Sequence, residues 1–142
     1  MTGESRALAH ALAGAHAALW GYGVVAPRVP EAQERPAAAD ALVACRALRD
    51  ALTAEFRARG ATPVAAEPAY ALPFPVDGGA SARRLAVHLE DGLAPLLGDL
   101  VASAQDPDLR AYAADALAAS ARRRVAWGAP PSALPGYDRR VR

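Results

Sequence analysis

The sequence predicts an all-α chain: four helices in two antiparallel pairs, joined by a long strap. Three observations carry that expectation. Hydrophobic residues make up 53% of the chain, and much of that is alanine, which favours helix and lets helices approach closely. Apolar residues recur at helical spacing in four segments, and no stretch alternates convincingly like a strand. Two of the three connections are short and one is long. The 142 residues fit one domain, and no internal repeat is visible.

The first helix runs from about Thr2 to Val25 and stops before Pro27. No residue from Ala7 to Pro27 carries a formal charge, about the length of a membrane span. The stretch is mostly Ala and Gly, contains His10 and His16, and has few large apolar residues. Glu4 also spoils the basic flank of a secretion signal. A core helix of a soluble, cytoplasmic protein is therefore expected, with no membrane partner. The second helix lies between Pro30 and Arg59 and either starts or kinks at Pro36. Its end is marked by Arg57 and Arg59, then Gly60, then Pro63. The third runs from about Ser81, a possible N-cap, to Ala104. The fourth opens with Asp106-Pro107-Asp108: a cap, a proline in the first turn and an acid on the positive helix end. It stops at Gly128, before Pro130 and Pro131.

The middle connection, Gly60 to Ala80, carries Pro63, Pro68, Pro73 and Pro75. About 20 extended residues span roughly 60 Å, more than the roughly 42 Å of a helix of about 28 residues. That suffices to cross the bundle and start the third helix parallel to the second. One long crossover in the middle is the ferritin-like four-helix bundle arrangement. Residues 1–129 are expected to form this bundle, with the crossover at 60–80, and 130–142 a C-terminal tail. In AYALPFPV (69–76), Tyr70, Leu72 and Phe74 are placed to pin the strap; a mobile lid is the alternative.

At about 100° per residue the inward faces can be laid out. Leu8, Leu12, Ala15 and Leu19 share a face of helix 1, with His16 at its edge and His10 outside. Helix 2 turns in Ala41, Cys45, Leu48, Leu52 and Phe56, with Arg49 at the border. Helix 3 turns in a leucine stripe from Leu85 to Leu100, with Glu90 at its flank and His88 and Asp91 outward. Helix 4 turns in Leu109, Tyr112, Ala113, Ala116, Ser120 and Trp127. A dinuclear iron or manganese site needs a Glu from each of two helices and a Glu-x-x-His pair from each of the other two. Here only His16 and Glu90 are weak candidates for metal ligands, and helix 2 shows Leu42 and Cys45 where such a pair would sit. No metal and no cofactor is expected.

The segments HAALWGYGVV (16–25), CRALRDAL (45–52), RARGATPVAAEPAYALPFPV (57–76), LEDGLAPLLGDLV (89–101) and GAPPSALPG (128–136) carry a resemblance over Ala7 to Tyr137. The chain resembles a ferritin-like domain family of unassigned function, common in actinobacterial proteins. Members often have Glu-His where this chain has Ala15-His16, and His-Arg where it has Cys45-Arg46. The resemblance implies the fold and no activity, with any former polar site half lost.

The other singled-out residues read as structural. His16 is expected to be a buried neutral histidine, and Cys45 a small core residue with nothing placed to activate it. Arg49 and Glu90 are candidates for a buried pair across helices 2 and 3. Trp20, Tyr22 and Trp127 are packing residues. All 16 basic residues are arginine and the net charge is +1. The arginines of 122–124 and of YDRRVR (137–142) read as a solvated face and tail, without the aromatic platform that nucleic-acid binding needs. One cysteine excludes an internal disulfide and a cysteine zinc cluster. There is no GxGxxG, Walker loop, HExxH or nucleophile elbow. The expectation is a metal-free bundle acting by binding or self-association, with a homodimer through helix 4 and the strap. The alternative is a metal-dependent redox protein or enzyme with a reduced site around His16 and Glu90; a third is a small-ligand pocket between the helix pairs.

Overall fold

A computed structural model describes residues 2–137. It has four helices: α1 (Gly3–Val25), α2 (Arg35–Ala58), α3 (Gly79–Ser103) and α4 (Pro107–Ala126), with a short 3-10 turn at Ala26–Arg28. There is no strand among the described residues. No helix there is long and apolar enough to cross a membrane.

The helix ends follow local chemistry. Thr2 caps α1, its Oγ1 accepting the N–H of Ser5 at 3.0 Å. Pro36 sits in the first turn of α2, so the helix starts there and is not kinked. At its far end the Gly60 N–H donates to Arg57 O and the Ala61 N–H to Phe56 O, with Gly60 at φ +67°; this is the glycine stop in which otherwise orphaned carbonyls find donors. Asp106 caps α4 through the N–H of Asp108. Ser81 corrects the expectation for α3. It lies inside the first turn, and its Oγ accepts the N–H groups of Asp77 and Gly78. It reaches back toward the cap, while Gly78 occupies the cap position.

α1 packs on both α2 and α3, and α3 packs on α4. Two charged clasps fix the directions. At one end Glu4 accepts from Arg59 and from the Gln105 N–H, tying the start of α1 to the ends of α2 and α3. At the other end Arg83 bonds Glu34, tying the starts of α2 and α3 together. Helices α2 and α3 therefore run parallel, and the connection between them crosses the length of the bundle. Along the way His16 Nε2 meets Val64 O at 2.9 Å, Tyr70 packs on Trp20 with ring centres 5.8 Å apart, and Phe74 meets the His88 ring edge-on at 6.3 Å. Leu72, also placed to pin the strap, is 38% exposed.

The core is the expected one in α2, where Ala41, Cys45, Leu48, Leu52 and Phe56 are all buried. Leu8, Leu12 and Ala15 are buried in α1, with Leu19 only partly so. Two residues depart from the helical-wheel expectation. Asp91 is 8% exposed instead of facing out, and Tyr112 is 38% exposed instead of facing in. Asp91 is covered because α3 is buried on more than one side, by helices and by the segment after α4. Pro95 within α3 has no N–H to offer the Asp91 carbonyl, and Gly136 is seated against that oxygen. The Pro130 carbonyl accepts from Arg124 Nη1, and Tyr137 packs on Gly98. Residues 130–137, expected as a tail, thus pack onto α3 and α4. Arg139, Arg140 and Arg142 of that tail lie outside the described residues.

Candidate functional site

The centre of the bundle holds a polar cluster with a contribution from every helix. Glu90 of α3 is fully buried. Its Oε1 accepts from Tyr22 Oη of α1 at 2.9 Å and from Arg123 Nε of α4 at 2.7 Å. Its Oε2 accepts from Ser120 Oγ of α4 at 2.6 Å and from Arg123 Nη2 at 3.4 Å. Cys45 of α2 completes the cluster as an electrostatic neighbour of Glu90 and Arg123.

The environment fixes the protonation of the partners. Burial, and then the Glu90 charge, raises the Tyr22 phenol far above its ordinary value, so it stays a neutral donor. Burial, reinforced by Glu90, pushes the Cys45 thiol up to about 12. Burial works against the Arg123 charge, but the facing carboxylate outweighs it and raises the guanidinium above its usual range. The result is a locked ion pair, a neutral phenol and an un-ionised thiol. No buried side-chain nitrogen or oxygen among the described residues lacks a partner. The next residues repeat the pairing, Asp91 accepting from Arg124 Nε. Consecutive acids on α3 thus face consecutive arginines on α4.

The two weak metal candidates are not joined. His16 is half-buried and bonded to the strap, while Glu90 is held by Tyr22, Ser120 and Arg123. The expected Arg49–Glu90 pair does not form: Arg49 bonds its neighbour Asp50 at 2.7 Å, and Arg123 takes the place opposite Glu90. The Glu90 side of α3 turns toward α1 and α4, out of reach of the Arg49 border of α2. Sequence reading placed Ser120 inward but missed its role, and took Tyr22 as packing and Arg123 as part of a solvated face. The available signal was the three-residue spacing of Ser120 and Arg123, which puts both on one face of α4.

The donor set does not fit the dinuclear metal centre that this helix layout raises as a question. A carboxylate has about four lone-pair sites, and Glu90 has a protein donor for each. Two of those four donors are N–H groups of one cation, Arg123, which repels a metal ion. No group of three or more His, Cys, Asp or Glu suited to a metal exists among the described residues.

Two of the grooves outside the centre touch residues described above. One, of about 470 Å³, is bounded by the strap, α3 and the end of α4, around Phe74, Arg84, Val87, His88 and Trp127. The other, of about 510 Å³, runs beside His16, Arg49, Arg57 and Val64.

A family profile described as "Domain of unknown function (DUF4439)" matches residues 7–139. Among solved structures, the crystal structure of a conserved hypothetical protein, rv2844, from Mycobacterium tuberculosis is similar at 37% identity and a TM-score of 0.84, covering 88% of this chain and 94% of that one. No curated protein matches the chain.

Proposed function

The chain belongs to the family described as a domain of unknown function (DUF4439), and from that premise we propose a metal-free bundle of ferritin-like layout that works by binding at its surface. The single observation behind this is the state of Glu90, whose oxygens are committed to Tyr22, Ser120 and Arg123. A carboxylate so held does not ligate a metal, because a metal would have to displace the Arg123 guanidinium and the two hydroxyls from it. The centre then serves to align four helices, and the chemistry of recognition is left to the outside. Self-association fits the same picture. The outer face of α4 is small and alanine-rich and exposes Tyr112 and Val125, which suits close pairing of helices in a homodimer.

The test is metal analysis, with sedimentation velocity, of protein purified without chelators. The expected result is iron, manganese and zinc at background and a sedimentation coefficient of a dimer. Near-stoichiometric metal that is lost on His16→Ala would overturn the metal-free reading in favour of a metal site that includes His16. A monomer at all concentrations would remove the self-association half and leave binding of other molecules.

A further inference from the structure

The groove between the strap and the end of α4 has the size of a small-ligand site, about 470 Å³, and an unusual charge pattern. Arg83, Arg84 and Arg124 line it, and no carboxylate does among the described residues. Arg83 is engaged by Glu34, and Arg124 by Asp91 and the Pro130 carbonyl, so both are fixed in place from behind. Arg84 differs. It makes no ion pair among the described residues, and its guanidinium lies 5.0 Å from the centre of the Phe74 ring. A guanidinium held over an aromatic face by cation–π attraction makes no hydrogen bond to it, so its N–H fork stays available to a carboxylate or phosphate. That contact also pre-orders a side chain that would otherwise lose rotamer freedom on binding. Beside it, Val87, Phe74 and Trp127 supply an apolar wall, Trp127 being only 7% exposed and so rigidly held. His88 stands edge-on to Phe74 and closes that side.

We propose that this groove binds a small organic acid: an anionic head group, carboxylate or phosphate, held by Arg84, and a flat apolar body lying against Phe74, Val87 and Trp127. Neutral molecules of the same shape lose the head-group contact. Cations meet Arg84, the arginine of the three that no acid pairs among the described residues. The site is built from three parts that come together only in the folded chain, namely the strap, α3 and the turn after α4. It gives the strap a role, since Phe74 both seats Arg84 and forms the wall. The proposal rests on the surface-binding reading above and names a ligand class for it.

The experiment is a titration of isotope-labelled full chain with benzoate, phenyl phosphate and neutral benzamide, followed by amide and indole NMR shifts. The expected result is saturable movement of the Trp127 indole and the Val87 amide with at least one of the two acids and none with benzamide. The tighter of the two acids identifies the head group. Arg84→Gln, at an exposed position that leaves the core intact, weakens binding by at least about tenfold. Arg46→Gln, the same charge change on the outside of α2, leaves binding unaltered. Absence of a saturable shift with both acids, equal shifts with benzamide, or parent-like binding by Arg84→Gln each overturns the proposal. Metal content measured on the same sample keeps the two apart: loss of acid binding from a metal-free protein sinks only this site, whereas stoichiometric metal sinks the wider reading.

Discussion

Arg123 of α4 places its Nε 2.7 Å from Oε1 of Glu90, in the middle of α3, and the carboxylate has no exposed surface. The guanidinium is about one-fifth exposed, so the pair is buried at the acid and reaches solvent at the base. Such a pair adds little net stability over apolar residues of the same shape, but breaking it from one side is costly.

Removing either partner is expected to destabilise the fold. Arg123→Ala should cost about 3–5 kcal/mol in urea unfolding, because it leaves the buried Glu90 charge unpaired, and Glu90→Ala should cost less, because the Arg123 it leaves unpaired reaches solvent. The double change Glu90→Leu with Arg123→Met should cost much less than the two single losses added together. Additive losses would show that the residues do not act as a pair.

Tyr22→Phe removes one donor from Glu90 while keeping the ring that packs beside Trp127 at 6.4 Å. A loss of about 1–3 kcal/mol is expected, the cost of one unmade bond to a buried charged group. An unchanged unfolding midpoint would mean that the hydroxyl is not needed there.

The Cys45 thiol should be inert in the folded protein. Its ordinary value of 9.0 is raised to about 12, so at mildly alkaline pH the folded thiol stays protonated while the unfolded one ionises. The unfolded chain then holds fewer protons, and stability falls as pH rises from 9.0 to about 12, by a few kcal/mol at most; Tyr22 adds to the same slope at its alkaline end. A thiol reagent near neutral pH should react only after denaturant is added, and Cys45→Ala should flatten the alkaline loss. Rapid labelling of the native protein would contradict the buried placement.

The helices were legible because their signals are local. Thr2, Pro36, Gly60 and Asp106 act through neighbours a few residues away, and they ended or began helices where the chain said they would. The central cluster was not legible, because its bonds join residues 30 to 68 positions apart. Periodicity finds one apolar stripe per helix. It misjudged Asp91 because α3 has neighbours on several sides, and one of them is the segment around Gly136. It misjudged Tyr112 because inward spacing does not show whether a partner comes close enough to cover the ring.

The strap should loosen without loss of the bundle. Trp20→Ala removes the ring under Tyr70, and His16→Ala removes the bond to Val64 O, each about 1 kcal/mol of local hold. Amide exchange at residues 63–76 should speed up while α2 and α3 keep their protection. Uniform deprotection would show that the strap and bundle open together.

Gly136 lies at φ +78° against the Asp91 carbonyl. Gly136→Ala should cost 1 kcal/mol or more by the rough scale for a side chain forced into that conformation. It should free residues 130–137 to a protease with little effect on helix content. Resistance equal to the parent chain would mean that the segment tolerates a Cβ.

The state of the Glu90 oxygens is tested most directly by anomalous scattering from crystals soaked with ferrous, manganous and zinc ions. The expected map shows Arg123, Tyr22 and Ser120 on Glu90 and no metal peak between the helices. A well-occupied peak there, coordinated by Glu90 of a single subunit with Arg123 displaced, would contradict the account.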